Sequence, residues 1–173
     1  MLYFIRHGQC VANVEHVFAG QRLDSPLTEL GELQARSTGE EVRAAGIEPE
    51  RIITSPLLRT RRTAQIVAER IRFSGEVSDE ERIAEYDMGL LSGTPNQKIN
   101  SLALIIAEEA EPINQFMTRV QSFLDEATNC NKIILMVSHA GVGRMIEVIQ
   151  KNLDPKIFYD LEAVPNGKVL KIL

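Results

Sequence analysis

The stretch that most limits what this chain can fold into is the apolar run at residues 132–138. Its five central residues, 133–137, are Ile, Ile, Leu, Met and Val. A short continuous apolar run is typical of a strand covered on both faces, and such strands occur in parallel sheets with helices on either side. His139 follows the run directly, and residues 141–149 have the pattern of a helix. The sequence therefore predicts an α/β fold with this strand at its centre.

Two more predicted strands are followed by residues whose side chains are able to bind a phosphate group. Residues 2–5 lead into Arg6 and His7, and residues 51–55 lead into a helix with Arg59 in its first turn. The carboxyl ends of parallel strands lie along one edge of a sheet, where α/β proteins bind ligands. Arginine presents a planar fork to phosphoryl oxygens, and the open amides of a helix N-terminus also attract anions. We therefore expect a phosphate pocket at this edge, together with the histidine that follows the apolar run.

The rest of the pattern completes a three-layer α/β/α sandwich, a mostly parallel sheet with helices on both faces. Apolar spacing, caps and turn residues predict the remaining elements. The helices run from Thr28 to Gly46, from Pro56, within residues 96–110 and from Pro112, and weaker strands cover residues 76–78 and 168–173. We expect a single domain over residues 1–173.

Charge and cysteine content argue against several functions. The 173 residues contain 24 Asp and Glu against 19 Lys and Arg, a net charge of −5, which disfavours a general nucleic-acid binder. Arg59, Arg61 and Arg62 are nevertheless clustered, which favours a small anionic ligand, with a solvated helix face as the alternative. The sequence has no apolar run of membrane-spanning length and no visible export signal, and Cys10 and Cys130 form no recognisable framework. We therefore expect a cytoplasmic protein with no membrane partner.

A metal site is the alternative interpretation of the two histidines, His7 and His139. His16, Asp24 and Glu85 would then be the further ligands. Their spacing matches no common metal motif, and arginines beside a cation would repel it. We therefore prefer a phosphate pocket to a metal site.

Several short motifs follow one another along the chain in a familiar order. They are Arg6, His7 and Gly8 with Asn13; residues 24–31 with Gln34 and Ala35; residues 54–60 with Thr63 and Ala64; Glu85 with Gly89 and Gly93; residues 137–141; and Pro165 with Asn166. Together they resemble the histidine phosphatase superfamily, in its phosphoglycerate mutase-like branch, over nearly the whole chain. The resemblance implies the phosphoglycerate mutase-like version of the three-layer fold.

The resemblance also implies a role for each matched residue. His7 would be the nucleophile that forms a phosphohistidine intermediate. Glu85 would be the general acid for the leaving group and then the general base for water, which places the pH optimum on the mildly acidic side of neutral. The phosphoryl oxygens would be bound by Arg6, Arg59 and His139, with further contacts from Asn13 and the backbone at Gly20. No metal or organic cofactor is implied.

Glu85 has a second interpretation, because acidic residues surround it in the sequence. A run that contains Asp79, Glu80, Glu81 and Asp87 is typical of a solvated loop. What distinguishes Glu85 from the other acidic residues is its spacing to Gly89 and Gly93, which matches the family pattern.

The expected reaction is hydrolysis of a phosphomonoester on a small phosphorylated substrate. Residues 94–111 are a short stretch with Lys98 set against Glu108, Glu109 and Glu111, which makes a poor clamp for a second anionic group. The alternatives are phosphoglycerate mutase-type transfer, a protein phosphohistidine phosphatase and a non-catalytic domain that binds a phospho-ligand. Arg22, Arg61 or Arg62 would supply the contact to a second anion of the substrate.

Some positions depart from the family pattern and leave the substrate open. Cys10 stands where threonine or serine is usual, and Ala12 where an aromatic residue is common. Ala19 replaces a residue that is often polar, and Leu91 with Ser92 replaces an aromatic–acidic pair. None of these changes removes a residue to which the resemblance assigns a catalytic role.

Overall fold

A computed structural model describes residues 1–96 and 99–173. The described residues form one five-stranded sheet. Its strands are β1 (Leu2–Arg6), β2 (Arg51–Thr54), β3 (Val77–Asp79), β4 (Ile134–Ser138) and β5 (Val169–Lys171). The order across the sheet is β3-β2-β4-β1-β5, with β5 antiparallel to β1 at one edge and every other pairing parallel. The mostly parallel sheet predicted from the sequence is therefore confirmed.

The central position of β4 follows from its composition. All five of its residues are buried, and it pairs with β1 on one side and β2 on the other. Arg6 lies opposite Ser138, and Thr54 lies opposite Val137. The three central strands therefore end at the same level, which places the residues after each of them at one edge of the sheet.

Six helices cover the sheet in the described parts of the chain. They are α1 (Val11–Val14), α2 (Glu29–Ala44), α3 (Leu58–Ile71), α4 (Ser101–Ile105), α5 (Ile113–Asn129) and α6 (Ala140–Lys151), with 3₁₀ turns at Glu81–Ile83, Gly89–Leu91 and Pro155–Asp160. None of these 3₁₀ turns was predicted from the sequence. No helix in the described ranges has the length and apolar character that crossing a membrane requires.

Alternate residues of the strands contribute their side chains to two separate hydrophobic cores, one on each face of the sheet. Ile5, Leu135 and Val137 pack with Val42 of α2 and Val67 of α3 on one face of the sheet. The other face packs against α5 and α6 through a larger cluster, which includes Leu2, Phe4, Met136, Phe116, Phe123 and Met145. This alternation is what a strand with two covered faces requires, and it confirms the three-layer prediction.

The helix that carries Arg59 begins later than predicted, and its first amide is already occupied. The sequence placed the start at Pro56, whereas α3 begins at Leu58. The Asp24 carboxylate accepts the Leu58 N–H, at 2.9 Å from each carboxylate oxygen. The expectation that this helix start leaves its amides open to a phosphate is therefore wrong at Leu58, because Asp24 supplies the anion.

Two glycines let the loop after β1 approach α2 closely. A Cβ on Gly8 would collide with the backbone carbonyl of Gly31, and a Cβ on Gly31 would collide with that of Gln9. Thr28 caps α2 by accepting the Gly31 N–H at 3.0 Å, as predicted. The close approach holds the backbone directly after His7 against α2.

Candidate active site

The described residues line a cavity of about 170 Å³ beside the carboxyl ends of the central strands. Six of the seven residues singled out from the sequence line it: Arg6, His7, Asn13, Gly20, Arg59 and Glu85. The seventh, His139, is fully buried beside His7, with 5.2 Å between the two ring centroids. The fold therefore brings together residues that are up to 133 positions apart in the sequence.

 Asn166, which precedes the antiparallel edge strand β5, also contacts the site. Its side-chain amide donates a hydrogen bond to the His7 carbonyl at 2.9 Å.

The backbone fixes the tautomer of His7. Nδ1 of His7 lies 2.7 Å from the Gly8 carbonyl oxygen, which only accepts hydrogen bonds, so Nδ1 carries the proton. In the neutral ring the lone pair is then on Nε2. Burial lowers the pKa of His7 well below its ordinary value of 6.5, and the charges of Arg59 and Arg6 lower it further. The site therefore holds a neutral imidazole whose lone pair is on Nε2.

Two guanidinium groups are buried at the same end of the cavity. Arg59 is 1% exposed and donates through Nη2 to the Gly20 carbonyl at 2.9 Å, with the Asp24 carboxylate at 3.6 Å. Arg6 donates through Nη1 to the Val164 carbonyl at 2.7 Å. Burial lowers the pKa of both arginines, and the nearby Glu85 carboxylate opposes that effect. Backbone carbonyls thus orient both guanidinium groups, of which that of Arg59 also has a carboxylate at ion-pair distance.

His139 is positioned by Ser55, the residue that directly follows β2. Its Nε2 lies 2.7 Å from the Ser55 hydroxyl, which also accepts the Leu57 N–H at 3.4 Å. Burial lowers the pKa of His139 well below 6.5, and the charge of Arg59 adds to the effect. In the tautomer in which Ser55 donates to Nε2, Nδ1 of the neutral His139 ring carries the proton and is a hydrogen-bond donor.

Three buried nitrogen atoms at this site have no hydrogen-bond partner among the described residues. They are Nε of Arg6, Nε of Arg59 and Nδ1 of His139. A buried polar atom without a partner is costly, by roughly 1–3 kcal/mol, and native structures usually satisfy it with a protein group, water or a bound ligand. Arg6 and Arg59 line the cavity with His7, and His139 packs beside His7, so these atoms form a set of donors at one site with no acceptor among the described residues.

Glu85 faces this group from the loop after β3. It is 7% exposed, and its two carboxylate oxygens accept the backbone N–H groups of Tyr86 at 2.9 Å and Gly141 at 3.2 Å. A Cβ on Gly141 would collide with the Glu85 carboxylate, so any larger residue at this position would displace that carboxylate. The interpretation of Glu85 as part of a solvated loop does not fit this burial.

Arg119, on α5, holds the backbone that carries Glu85. It donates to the carbonyls of Arg82 at 2.8 Å, Ala84 at 2.7 Å and Glu85 at 2.9 Å. The Glu111 carboxylate accepts from its Nε at 2.7 Å and its Nη2 at 2.9 Å. Five donated hydrogen bonds from one guanidinium use all that this side chain offers.

We expect Arg119→Met to slow hydrolysis of an alkyl phosphate about tenfold or more, because a displacement of Glu85 by about 1 Å is enough to misalign a catalytic group. Steady-state rates measured with the alkyl ester against an aryl phosphate check this, since an aryl leaving group depends less on a proton donor. Arg82→Met is the matched control, because Arg82 lies on the same loop and pairs with Glu80 and with Glu126 of α5, while its side chain donates no hydrogen bond to Glu85. Equal losses on both esters would contradict a role through Glu85.

Asn13 and Gly20 are both engaged with neighbouring residues. The side-chain oxygen of Asn13 accepts the backbone N–H of Cys10 at 3.0 Å, so its NH₂ group is the part left for a ligand. The Gly20 carbonyl accepts from Arg59. Gly20 thus orients an arginine, and its predicted backbone contact to phosphate stays a prediction.

The surface arginines considered from the sequence are paired with carboxylates outside the cavity lining. Arg22 contacts Asp87 at 2.9 Å and Glu109 at 2.6 Å, and Arg62 contacts Glu32 at 2.7 Å. Arg61 pairs with Asp79. The cluster that suggested a small anionic ligand is therefore largely a set of solvated ion pairs, with Arg59 as its buried exception. Lys98, considered for the mutase clamp, lies outside the described residues.

Within residues 1–96 and 99–173, no three His, Cys, Asp or Glu side chains are grouped in a way that could hold a metal ion. His16, proposed as a ligand in the metal interpretation, is an exposed loop residue. The structure therefore does not bring together the ligand set that this interpretation named.

Comparison with known proteins identifies the family. The profile of the histidine phosphatase superfamily (branch 1) matches residues 2–173. The chain belongs to this superfamily. The resemblance noted in the sequence is thereby confirmed.

Curated relatives of the superfamily match part of the chain. A probable phosphoglycerate mutase GpmB of Klebsiella pneumoniae is 49% identical over 90 residues, which are 52% of this chain and 40% of that protein. The Salmonella arizonae protein of the same name is 42% identical over 101 residues, 58% of this chain and 43% of its own length. The matches thus span less than half of these relatives.

Solved structures of the superfamily fold cover nearly all of the chain. Bacillus stearothermophilus YhfR superposes with a TM-score of 0.84 at 24% identity, over 97% of this chain and 88% of that one. A mycobacterial glucosyl-3-phosphoglycerate phosphatase in complex with VO3 gives 0.81 at 23% identity, over 97% and 90%. Phosphoserine phosphatase of Entamoeba histolytica, in complex with 3-phosphoglyceric acid, gives 0.79 at 25% identity, over 97% and 87%. These likenesses confirm the predicted fold.

Three residues that the structure places at or next to the site were not singled out from the sequence. Ser55 follows the second strand directly, which was a usable signal. Arg144 lies five residues after His139 in the same helix and lines the cavity, and helical spacing would have placed it near the site. Arg119 gave no signal, because its contacts depend on how α5 packs against the loop of Glu85.

Proposed function

We propose that the protein hydrolyses a phosphomonoester through a phosphohistidine intermediate on Nε2 of His7, and that the chain from 1 to 173 acts as a single domain. The observation that carries the proposal is the set of three unpartnered buried nitrogens, on Arg6, Arg59 and His139, beside the lone pair of a neutral histidine. A phosphoryl group has the acceptor oxygens and the charge that these donors require.

In the first step His7 attacks the phosphorus atom. The lone pair of Nε2 forms the N–P bond as the bond between phosphorus and the ester oxygen breaks. Glu85, protonated at the start, gives its proton to the departing oxygen, and so becomes a carboxylate. The ring then carries a positive charge, which the Nδ1–H bond to the Gly8 carbonyl stabilises.

In the second step water replaces the histidine. The Glu85 carboxylate takes a proton from water as its oxygen bonds to phosphorus, and the N–P electron pair returns to Nε2 of His7. Inorganic phosphate leaves, and Glu85 is protonated again. Throughout both steps Arg6, Arg59, His139 and the Asn13 amide bind the phosphoryl oxygens, which is electrostatic stabilisation by groups already in place.

A mutase is the second candidate, and the names of the curated relatives favour it. Those relatives are probable phosphoglycerate mutases, of which this chain matches 40% and 43%. A mutase returns the phosphoryl group to a second oxygen of the substrate and not to water. The small cavity favours a compact phosphorylated substrate over a phosphorylated protein in either case.

The test is release of inorganic phosphate from p-nitrophenyl phosphate in the presence of excess chelator. Turnover that resists the chelator is the expected result. A companion assay with phosphoglycerate distinguishes phosphate release from isomerisation, and isomerisation without release would favour the mutase. Turnover that disappears with the chelator would overturn the proposed mechanism.

A further inference from the structure

The peptide unit between Gly8 and Gln9 connects the His7 ring to helix α2. Its carbonyl lies 2.7 Å from Nδ1 of His7, and its N–H donates to Oε1 of Gln34 at 2.8 Å. We propose that Gln34 is a positioning residue for His7: it holds this peptide so that the carbonyl keeps the proton on Nδ1 and supports the positive charge of the phosphorylated ring. The part that concerns the phosphorylated ring rests on the proposed function, whereas the part that concerns the proton applies to the resting protein.

The two hydrogen bonds lie at opposite ends of one rigid unit. A trans peptide is planar, so its C=O and N–H groups point in opposite directions and turn together. Orienting the Gln9 N–H toward Gln34 therefore orients the Gly8 carbonyl toward His7. Because a backbone N–H only donates, the oxygen of the Gln34 amide is the end that faces it.

The peptide unit before Gly8 is held by other elements. The His7 carbonyl accepts from the Asn166 amide at 2.9 Å, and the Gly8 N–H donates to Oγ1 of Thr63 at 3.1 Å. These bonds fix the backbone on the strand side of the loop. The following peptide, which carries the acceptor for Nδ1, is the one that Gln34 fixes.

Helix α2 holds Gln34 close to the loop and outside the cavity. The Thr28 N–H, at the start of α2, donates to the Gln9 carbonyl at 2.9 Å, so α2 binds both backbone groups of Gln9. Gly31 permits this approach because it lacks a Cβ. Gln34 is half-buried and is not among the described residues that line the cavity. Its influence on the reaction therefore passes through His7.

The Gly8 carbonyl is the group that favours a positive His7 ring. Burial and the charges of Arg59 and Arg6 lower the pKa of His7, and the hydrogen bond to the Gly8 carbonyl acts in the opposite direction. Hydrogen bonds in a chain polarise one another, so the Gln34 oxygen makes this carbonyl a stronger acceptor. The amide chain thus does for His7 what the buried aspartate does for the histidine of a Ser-His-Asp triad.

NMR of the His7 ring tests the first part in the resting protein. The chain has three histidines, and the Nδ1–H resonance of His7 is assigned by its loss in His7→Ala. Gln34→Met, which has a similar length and no amide oxygen, should move this resonance upfield and speed its exchange with water about tenfold, the effect of one hydrogen bond. Gln34→Glu, which keeps the acceptor and adds a negative charge, should move it downfield. Gln65→Met, at an exposed glutamine of α3, should leave it unchanged.

Rapid quenching with p-nitrophenyl phosphate tests the second part. The rate of phosphoenzyme formation should fall about tenfold in Gln34→Met, since the charged ring loses the support of one hydrogen bond. Gln34→Glu should form the phosphoenzyme at the wild-type rate or faster. Calorimetry should show unchanged affinity of both variants for inorganic phosphate, because the donors on Arg6, Arg59 and His139 stay in place.

The outcomes separate this inference from the proposed function. An Nδ1–H resonance at the wild-type position in both Gln34 variants would overturn the inference and leave the phosphoryl mechanism standing. Equal losses of phosphoenzyme rate in Gln34→Met and Gln34→Glu would also overturn it, because a merely structural role does not depend on the acceptor. If Gln34→Met does not fold, the direction of the shift in Gln34→Glu decides alone. A wild-type protein that forms no phosphoenzyme would overturn the covalent mechanism, and the expected shifts would still support the positioning of the resting ring.

Discussion

Replacing His7 with alanine should lower the turnover of any phosphomonoester by about 10⁴-fold or more, since removal of the nucleophile in comparable covalent mechanisms costs at least that much. No other nitrogen lone pair among the described cavity residues is oriented to replace Nε2, because His139 directs Nε2 to Ser55. The same variant should form no phosphoenzyme. Rapid quenching with a labelled substrate measures this, because a phosphohistidine survives alkali and is lost in acid.

The control for His7→Ala is His16→Asn. His16 is exposed and has a φ of 52°, a left-handed conformation that asparagine tolerates. Its replacement should leave both turnover and phosphoenzyme at wild-type levels. A His7→Ala protein that folds and still turns over within about tenfold of wild type would contradict the covalent mechanism.

The sheet and the location of the site were predictable because they depend on local patterns. The apolar run before His139 specifies a strand with two covered faces, and such a strand has few possible neighbours. Arg6 and His7 follow another strand of the same kind. Once both strands are parallel, the edge at which their polar residues meet is fixed by the chain direction.

The partners of the charged residues were not predictable, because they depend on packing between distant segments. Arg59, Arg61 and Arg62 look alike in the sequence, yet only Arg59 is buried. The α-helical turn directs Arg59 toward the loop that contains Gly20, whereas its neighbours point to solvent. A cluster of charges in the sequence therefore does not tell which member meets a ligand.

The same limit applies to the helix start at Leu58. An open helix N-terminus attracts anions in general. Here the anion is Asp24, which is 34 residues away in the sequence. Only the path of the long loop between β1 and α2 decides that this carboxylate arrives there.

Replacing Glu85 with glutamine should separate the two chemical steps. With an alkyl phosphate the loss should be about 10²–10⁴-fold, because the departing alkoxide needs a proton. With p-nitrophenyl phosphate the first step should proceed, since nitrophenolate leaves without a proton, and the second step should stall because no base activates water. We therefore expect a burst of nitrophenolate equal to the enzyme concentration, followed by slow turnover.

The pH dependence gives an independent measure of the same roles. Burial, with the charges of Arg59 and Arg6, lowers the pKa of His7 well below 6.5, so His7 stays neutral at pH 6.5 and the rate falls only on further acidification. We expect Glu85→Gln to keep this acidic limb, because the limb belongs to His7. Glu81→Gln, at an exposed residue of the same loop, should keep the whole wild-type profile on an alkyl phosphate, and a Glu85→Gln profile identical to wild type would rule out the acid role.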